Sequence, residues 1–405
     1  MNSSVTRPTV RPKNGRRYTL RPALLPLFSS SILTALSGGV LAADSSNAFN
    51  PAIGLILNGT LSHFSQDPEH YAISGMPLGG ESDPGSQGFA LGESELSISA
   101  NIDPDWYGYA SLAFGDETEV ENAYVQTSPL PGLTLRAGRF FSAIGYLNEQ
   151  HAHTWDFADT ALVYRALLGT QYGDDGVQLR WVAATALYTE IGAEWLNGSN
   201  FPAGGSANKG QGAWSAFVHI GDDVGISNSW RAGLSYLHAN ADERESGDEE
   251  DPDLFSGHSK LTIADFVWKW APGGNAYERS FKLQGEYVMS SNDGEFTPAG
   301  GSVMDYSATP QGWYLQGVYQ FTHGWRVGVR HDQLDAGQDK TLYAGTVLDS
   351  QQHDPQRNSL MMDYSNSEFS RIRLQYNRDE SQPRVDHQWL LQYTMSLGAH
   401  GAHTF

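Results

Sequence analysis

Residues 369–379 read Phe-Ser-Arg-Ile-Arg-Leu-Gln-Tyr-Asn-Arg-Asp, and apolar and polar side chains alternate through the middle of this stretch. Ile372, Leu374 and Tyr376 fall on one side of an extended chain, and the residues that flank and separate them are Arg, Gln and Asn. Because successive side chains of a β-strand point to opposite faces, the stretch predicts a strand with one apolar and one polar face.

The same alternation recurs along the chain from residue 51 onward. It predicts strands near 52–64, 89–102, 106–115, 119–127, 133–140, 176–183, 187–196, 212–221, 229–240, 259–271, 279–290, 311–322, 325–335, 358–365, 369–379 and 386–398. The predicted fold class is therefore all-β. A soluble sandwich also has alternating strands, so the pattern alone leaves that fold open.

The connections between these strands favour a barrel over a sandwich. Short turns occur at 102–105, 129–132, 323–324 and 366–367. Long polar loops occur between them at 65–88, 141–175, 197–211, 241–257, 291–310 and 336–357. Short turns on one side and long loops on the other are typical of a transmembrane antiparallel β-barrel with an even number of strands, here about sixteen. In this arrangement 141–175 is a long third outside loop.

Composition agrees with a barrel and excludes other classes. The 405-residue chain contains no Cys, which excludes a disulfide scaffold and thiolate metal sites. Its mean hydropathy of −0.42 is too polar for a bundle of transmembrane helices. The formal net charge of −21 argues against nucleic acid as a partner.

The N-terminus has the form of a secretory signal. Six positive residues and no acidic residue lie between Arg7 and Arg21, and an apolar segment extends from Ala23 to Leu41. The small residue Ala42 then completes a cleavage motif, so we predict a signal peptide over 1–42 and a barrel over 43–405. Removal of the six charges changes the net charge from −21 to −27. No later apolar run reaches the roughly 18 residues of a spanning helix, so a membrane could be crossed only by a closed barrel.

Aromatic residues and the last residue of the chain point to the outer membrane of a Gram-negative cell. Trp106, Trp268, Trp313 and Trp325 fall near predicted strand ends, as interfacial girdle residues do. The chain ends at Phe405, and a terminal Phe after a strand resembles the signal read by the outer-membrane insertion machinery.

The polar faces of the strands carry many charges, and a charge on the lipid face near the bilayer midplane costs roughly 2–4 kcal/mol. We therefore predict that a set of charged residues lines a pore. The set is Arg136, Arg180, Arg231, Lys282, Arg326, Arg330, Arg371, Arg373, Glu93 and Glu95, and Glu121, Glu286 and Asp332 share the same lumen. Two interpretations stay open: an ordinary wet lumen, or a basic wall that favours anions.

The long loop 141–175 is rich in aromatic and polar residues, which argues against disorder and favours a loop that folds into the barrel as a constriction. Its predicted constriction residues are Arg139, Asn148, Glu149, His151, His153, Asp156, Asp159 and Arg165. Within it, His151 and His153 with Glu149 and Asp156 are candidate Zn²⁺ ligands. The alternative is that these groups hydrogen-bond the loop to the wall, for example at Arg139 and Arg165.

No nucleophile elbow, zinc-protease motif, phosphate loop or dinucleotide fingerprint occurs in the sequence. We therefore expect a protein that is not an enzyme.

Three segments carry a resemblance to a known family. They are AYVQTSPLPGLTLRAGRFFSAIGYLNEQHAHTWDF (123–157), LVYRALLGTQYGDDGVQLRW (162–181) and MSLGAHGAHTF (395–405). They resemble a proteobacterial family of porin-like outer-membrane proteins, often labelled zinc-regulated TonB-dependent outer membrane receptors. The resemblance implies an outer-membrane barrel that serves metal acquisition. A true TonB-dependent receptor has 22 strands around a folded plug, and the roughly ten residues between Ala42 and the first predicted strand leave no room for a plug.

Together these observations predict a porin-like channel for passive diffusion of small solutes, with a tie to zinc acquisition implied by the resemblance. The alternative is a zinc-binding outer-membrane receptor, and the third hypothesis is a structural or adhesive barrel. We expect no required cofactor, with Zn²⁺ as ligand or cargo. The expected partners are outer-membrane lipid, lipopolysaccharide, the insertion machinery at Phe405, small solutes or metal ions, and two further copies in a homotrimer.

Overall fold

The structure is a computed structural model that describes residues 51–79, 82–115, 118–205, 210–247, 252–338 and 343–398. The predicted signal peptide over 1–42 and the predicted insertion signal at Phe405 lie outside the described residues. Both therefore stay predictions.

The described residues form eighteen strands, one α-helix and three short 3-10 helices. The strands are β1 (Ala52–Phe64), β2 (Gly88–Leu91), β3 (Ser94–Asn101), β4 (Trp106–Phe114), β5 (Thr118–Thr127), β6 (Leu133–Phe141), β7 (Gly173–Val182), β8 (Tyr188–Leu196), β9 (Ala213–Val224), β10 (Asn228–Ser246), β11 (Asp253–Trp270), β12 (Ser280–Thr297), β13 (Met304–Ala308), β14 (Gln311–Thr322), β15 (Trp325–Asp335), β16 (Gln356–Ser367), β17 (Ser370–Glu380) and β18 (Asp386–Gly398). The helix is α1 (Leu162–Leu168), and the 3-10 helices span Pro68–His70, Ala152–Thr154 and Pro272–Gly274.

The strands close into a barrel. Long strands that follow one another in the chain pair in antiparallel fashion, and β1 pairs with β18 from Gly54 opposite Gly398 to Phe64 opposite Gln388. Two of the eighteen strands add nothing to the circumference: β2 continues the position of β3 beside β1, and β13 pairs with the far end of β12. The ring therefore has sixteen strands, and the predicted sixteen-stranded antiparallel barrel is confirmed.

The alternation that predicted the strands separates the two faces of the wall. Ile372 and Leu374 are 48% and 47% exposed on the outside, whereas Arg373 and Gln375 between and beside them are 1% and 0% exposed. Exposed apolar side chains recur around the outer face, among them Leu234, Val329 and Leu391. An apolar outer belt and a polar inner face are typical of a barrel that contacts lipid. Many of the inner side chains are also buried from water. Other residues of the chain must therefore fill much of the lumen.

Two predicted loops were wrong, because three strands extend further than the sequence pattern indicated. β10, β11 and β12 have 19, 18 and 18 residues and include most of 241–257 and part of 291–310. Both faces of these extensions carry polar residues, so the apolar alternation used to recognise strands is weak there. The predicted strand 89–102 was also wrong as one element, since it is divided into β2 and β3.

The lumen is occupied by residues 142–172, which join β6 to β7 and are called the lumen segment below. All seven residues of α1 within it are buried. Leu162, Val163 and Leu167 of α1 belong to one apolar cluster with wall residues that include Val288 and Leu334. The helix ends at Gly169, which has the left-handed φ of 59° that favours glycine at a helix C-terminus. The main apolar core of the protein therefore lies inside the barrel.

Among the described residues, no helix combines the length and the apolar character that crossing a membrane would need.

Candidate functional site

The two ends of the lumen segment are tied together by one buried amide. Asn148 is 0% exposed, and its Nδ2 donates to the carbonyl oxygens of Ser142 and Tyr172, both at 2.8 Å. The backbone N–H of Tyr172 donates in return to Asn148 Oδ1 at 2.8 Å. Three hydrogen bonds away from water make Asn148 a fixed base for the segment. Asn148 was predicted as a residue of the constriction. The structure shows it buried, where it holds the two ends of the lumen segment together.

The first turns of the segment are held by two wall carboxylates. Ala143 N–H donates to Glu194 at 2.9 Å, and the N–H groups of Tyr146 and Leu147 donate to Glu286 at 2.9 and 3.0 Å. Gly145 passes so close to the wall that a Cβ there would stand 2.4 Å from Glu286 Oε2. Its φ of +68° is also left-handed. Close approach and backbone conformation therefore both require glycine at this position.

Ion pairs hold the middle of the segment against β12 and β15. Asp156 lies 3.0 Å from Lys282 Nζ and 2.9 Å from an Arg326 Nη. Burial by itself raises the pKa of Asp156, but the charges of Lys282 and Arg326 outweigh it and hold this pKa well below its usual value. The carboxylate is therefore ionised across the ordinary pH range.

Asp159 repeats the arrangement three residues further along the segment. It lies 2.6 Å from Arg330 and 3.0 Å from Arg357, and it accepts hydrogen bonds from Gln375 at 2.7 Å and Asn377 at 2.9 Å. Burial raises the pKa of Asp159, and the two arginines again lower it well below its usual value. Asp159 is thus fixed to β15, β16 and β17 at once.

The predicted basic residues all lie on the lumen side of the wall, and most of them hold the lumen segment. Arg371 donates to the carbonyl of His153 and Arg373 to that of Trp155, both at 2.7 Å. Arg180 pairs with Glu149, and Arg136 lies 4.0 Å from the same carboxylate. Arg231 lies over the ring of Tyr146 at 5.2 Å. The sequence indicated a basic wall but not that its charges face the carboxylates and carbonyls of one segment.

The two predicted zinc-ligating histidines do converge, but on different carboxylates from those predicted. His151 Nδ1 lies 3.0 Å from Glu95 Oε2 and 3.1 Å from Glu121 Oε2, and His153 Nδ1 lies 3.2 Å from Glu95 Oε2. The two imidazoles stack with centroids 5.7 Å apart. They do so across the 3-10 helix Ala152–Thr154.

Glu149 and Asp156 were wrong as partners of these histidines. The structure places Glu149 beside Arg180 and Asp156 between Lys282 and Arg326, because permanent cations of the wall compete for both carboxylates. The residues that replace them, Glu95 and Glu121, were predicted only as lumen-facing groups. The spacing of residues in the sequence could not predict the contact of the histidines with Glu95 and Glu121. It forms because barrel closure brings β3, β5 and the lumen segment together.

Two further predicted constriction residues lie elsewhere. Arg139 shares the outer face of β6 with Leu135, and its Nε lies 2.8 Å from Asp175 Oδ1 on β7. Successive residues of a strand point to opposite faces. Arg139 lies near the loop in sequence, but its position on β6 points its side chain away from the lumen. Arg165 lies buried in α1 over the ring of Tyr71 at 5.4 Å, away from the histidines. Glu93, which was predicted as a pore-lining residue, immediately precedes β3 and is exposed.

Solvent reaches part of the lumen and not the rest. The side chains of Glu149, Lys282 and Arg326 are 28%, 23% and 23% exposed, and that of His151 is 19% exposed. Arg357 on β16 is 0% exposed. The lumen segment therefore fills part of the barrel. The partly exposed side chains of Glu149, His151, Lys282 and Arg326 mark the border between the segment and the water-accessible part of the lumen, called its accessible edge below.

A closed antiparallel barrel of sixteen strands is an architecture that outer-membrane proteins use, and comparison with solved structures finds the same fold. OmpT of Vibrio cholerae in its trimer form matches with a TM-score of 0.55 at 11% identity, over 86% of this chain and 99% of that one. The outer membrane channel DcaP of Acinetobacter baumannii matches with a TM-score of 0.53 at 12% identity, over 86% and 97%. An anion-selective porin from Comamonas acidovorans matches with a TM-score of 0.50 at 8% identity, over 86% and 99%. These likenesses show the fold.

Sequence comparison places the chain in a family. No family model matches it. An uncharacterized protein of Aquifex aeolicus (strain VF5) is 30% identical over 339 residues, which are 79% of this chain and 70% of that protein. The chain belongs to the same family as that Aquifex protein.

Proposed function

We propose that the protein is an outer-membrane channel for passive diffusion of small solutes and that the lumen segment narrows its passage. The single observation that carries the proposal is a segment fixed inside a closed barrel with charged, water-accessible side chains along its edge. The likeness to a solved anion-selective porin and to a solved outer membrane channel supports the same class of function.

The barrel wall supports the location and the path. Exposed apolar side chains such as Leu234 and Val329 would be costly in water and are suited to lipid. A sixteen-stranded barrel is wide enough to hold an aqueous channel. We assign the connection 65–87 to the cell exterior, which makes the lumen segment the third outside loop.

The proposed passage follows the accessible edge of the lumen segment. Glu149, His151, Lys282 and Arg326 border it, and charges of both signs therefore face a passing solute. The other predicted pore-lining residues act mainly by fixing the segment. A passage lined in this way suits small polar solutes, because large ones would have to displace the ion pairs.

Several partners belong to the same proposal. Lipid would contact the apolar belt, and lipopolysaccharide would contact the polar ends of the long strands at the outer surface. The insertion machinery would read the C-terminal Phe405. A homotrimer is supported by the trimer form of the structurally similar OmpT of Vibrio cholerae. We propose no enzymatic activity and no role for nucleic acid.

A second candidate function is capture of zinc at the cell surface, with the barrel as a receptor. The observation that favours it is the convergence of His151 and His153 on Glu95 and Glu121. A receptor would bind metal tightly and conduct little. A structural or adhesive barrel, the third hypothesis, would do neither.

Single-channel recording in planar bilayers tests the main proposal. The purified protein should give small, discrete current steps. A variant in which residues 144–170 are replaced by a short Gly-Ser linker should give steps several-fold larger, because most of the residues that fill the lumen would then be absent. Silence from both proteins would overturn the channel. Equal conductance from both would overturn the role of the lumen segment.

A further inference from the structure

We propose that Glu95, Glu121, His151 and His153 form a binding site for a divalent transition-metal ion, with Zn²⁺ as the representative ion. Two imidazoles and two carboxylates are a ligand set that Zn²⁺ accepts. One donor atom each from Glu95, Glu121 and His151 lies within 4.8 Å of the others, and His153 adds a second imidazole at 3.2 Å from Glu95.

The spacing of the donor atoms suits a small tetrahedral ion. Zn²⁺ is bound by imidazole nitrogen and carboxylate oxygen at about 2.0–2.1 Å, which places two tetrahedral ligands about 3.3 Å apart. The observed separations from His151 Nδ1 to Glu95 and Glu121 are 3.0 and 3.1 Å. Both separations would thus lengthen by only a few tenths of an ångström on binding, with His153 as the fourth donor.

The charge of the cluster also suits a dication. Glu95 and Glu121 are both 6% exposed in their side chains and together carry two negative charges when ionised. The carboxylates of Asp156 and Asp159 face Lys or Arg, which cannot bind a metal, whereas Glu95 and Glu121 face imidazoles, which can. One Zn²⁺ would neutralise both carboxylates in a place where desolvation makes an unmatched charge costly.

Neighbouring hydroxyl groups orient the proposed ligands. Tyr109 donates from its hydroxyl to Glu95 Oε1 at 3.2 Å, which leaves Oε2 toward the two histidines. Ser111 donates to Glu121 at 3.2 Å. Such outer partners fix the ligands of metal sites in protein structures generally. The 19% exposure of His151 gives an ion a route from the lumen.

The location gives the site a consequence for transport, and this part rests on the proposed channel function. Glu95 on β3 and Glu121 on β5 belong to the wall, whereas both histidines belong to the lumen segment. A bound ion would therefore link the segment to the wall beside the accessible edge. We expect Zn²⁺ to lower or steady the current through the wild-type channel.

Direct metal binding tests the site without relying on conductance. Purified protein in detergent should bind one Zn²⁺ per chain by calorimetry. Cu²⁺ in the same place should show electron-paramagnetic coupling to two nitrogen nuclei. His151→Ala/His153→Ala should abolish binding, and Glu95→Gln should weaken it by at least about tenfold. Folding of each variant is checked by heat-modified mobility on gels, and the isosteric Glu95→Gln keeps the test valid if the double variant fails to fold.

The matched control removes two histidines that lie elsewhere. His331 contacts Asn358 and His387 contacts Tyr376, and among the residues that the structure describes neither belongs to a cluster of three or more metal-ligating side chains. His331→Ala/His387→Ala should bind Zn²⁺ like the wild type. Equal binding by wild type and His151→Ala/His153→Ala would overturn the site. Binding by a protein that never conducts would keep the site and overturn the channel. Binding that leaves a conducting channel unchanged would overturn the coupling between them.

Discussion

Neutralising the two aspartates of the lumen segment should release it from the wall. Asp156 and Asp159 each contact two cations at 2.6–3.0 Å, and the two carboxylate side chains are only 8% and 10% exposed. Asp156→Asn/Asp159→Asn keeps the shape of both side chains and removes two negative charges. The freed cations would also make the passage more positive, so selectivity should move toward anions.

The expected size of the effect follows from the contacts that remain. Removing one partner of a buried ion pair costs about 3–5 kcal/mol. The loss is smaller here, because Arg326 keeps Asp363 and Arg330 keeps Asp332, and an Asn still accepts hydrogen bonds. We take about 2 kcal/mol for each substitution. Together they lower the ratio of docked to released segment by a factor on the order of 1000.

Single-channel recording and limited proteolysis measure this release. The double variant should show larger current steps with frequent transitions, and residues 142–172 should become open to protease. Asp175→Asn is the matched control, since Asp175 makes a similar ion pair with Arg139 on the outer face, with side chains that are 52% and 36% exposed. The control should resemble the wild type. Unchanged current, selectivity and proteolysis in Asp156→Asn/Asp159→Asn would refute the docking role of these pairs.

Three further predictions concern the same segment. Gly145→Ala should loosen its start, because the added Cβ would meet Glu286 Oε2 at 2.4 Å, and current noise should rise relative to the wild type. Asn148→Ala removes three buried hydrogen bonds and should lower the free energy of unfolding by about 2–3 kcal/mol, measured by urea titration in detergent. Acidification should leave the docked state intact down to about pH 4, which is close to the ordinary pKa of an Asp side chain. The pKa values of Asp156 and Asp159 are depressed, so the stabilisation from their ion pairs is complete above that pH and is lost as the pH falls from there toward the depressed values. Earlier loss of protease protection would contradict this.

The sequence predicted the wall well because the wall is governed by local alternation. β1, β14, β15 and β18 begin and end at the predicted residues. The errors lie where alternation is weak, in the extensions of β10 and β12, where both faces carry polar residues. A membrane imposes the apolar period that makes a strand readable, and outside the membrane that constraint disappears.

The site was predicted only in part, because its contacts join residues that are far apart in the chain. His151 and His153 were identified from their spacing, but Glu95 precedes them by more than fifty residues and reaches them only through closure of the barrel. The helix α1 was also missed. Its run Leu162–Leu168, which is apolar apart from Tyr164 and Arg165, suits either a strand or a buried helix, and burial on all sides inside a lumen is not a property that periodicity reveals.

The most direct test of the account is a covalent link between the lumen segment and β17 of the barrel wall. The chain has no Cys, so Ala158→Cys/Gln375→Cys introduces the only two thiols, at positions where Ala158 N–H donates to Gln375 Oε1 at 2.7 Å. A short thiol-specific cross-linker should join them in intact cells, and the linked protein should conduct like the wild type in planar bilayers. Failure to link, or a linked protein that is silent while the unlinked one conducts, would contradict a channel whose working state has the segment docked inside the barrel.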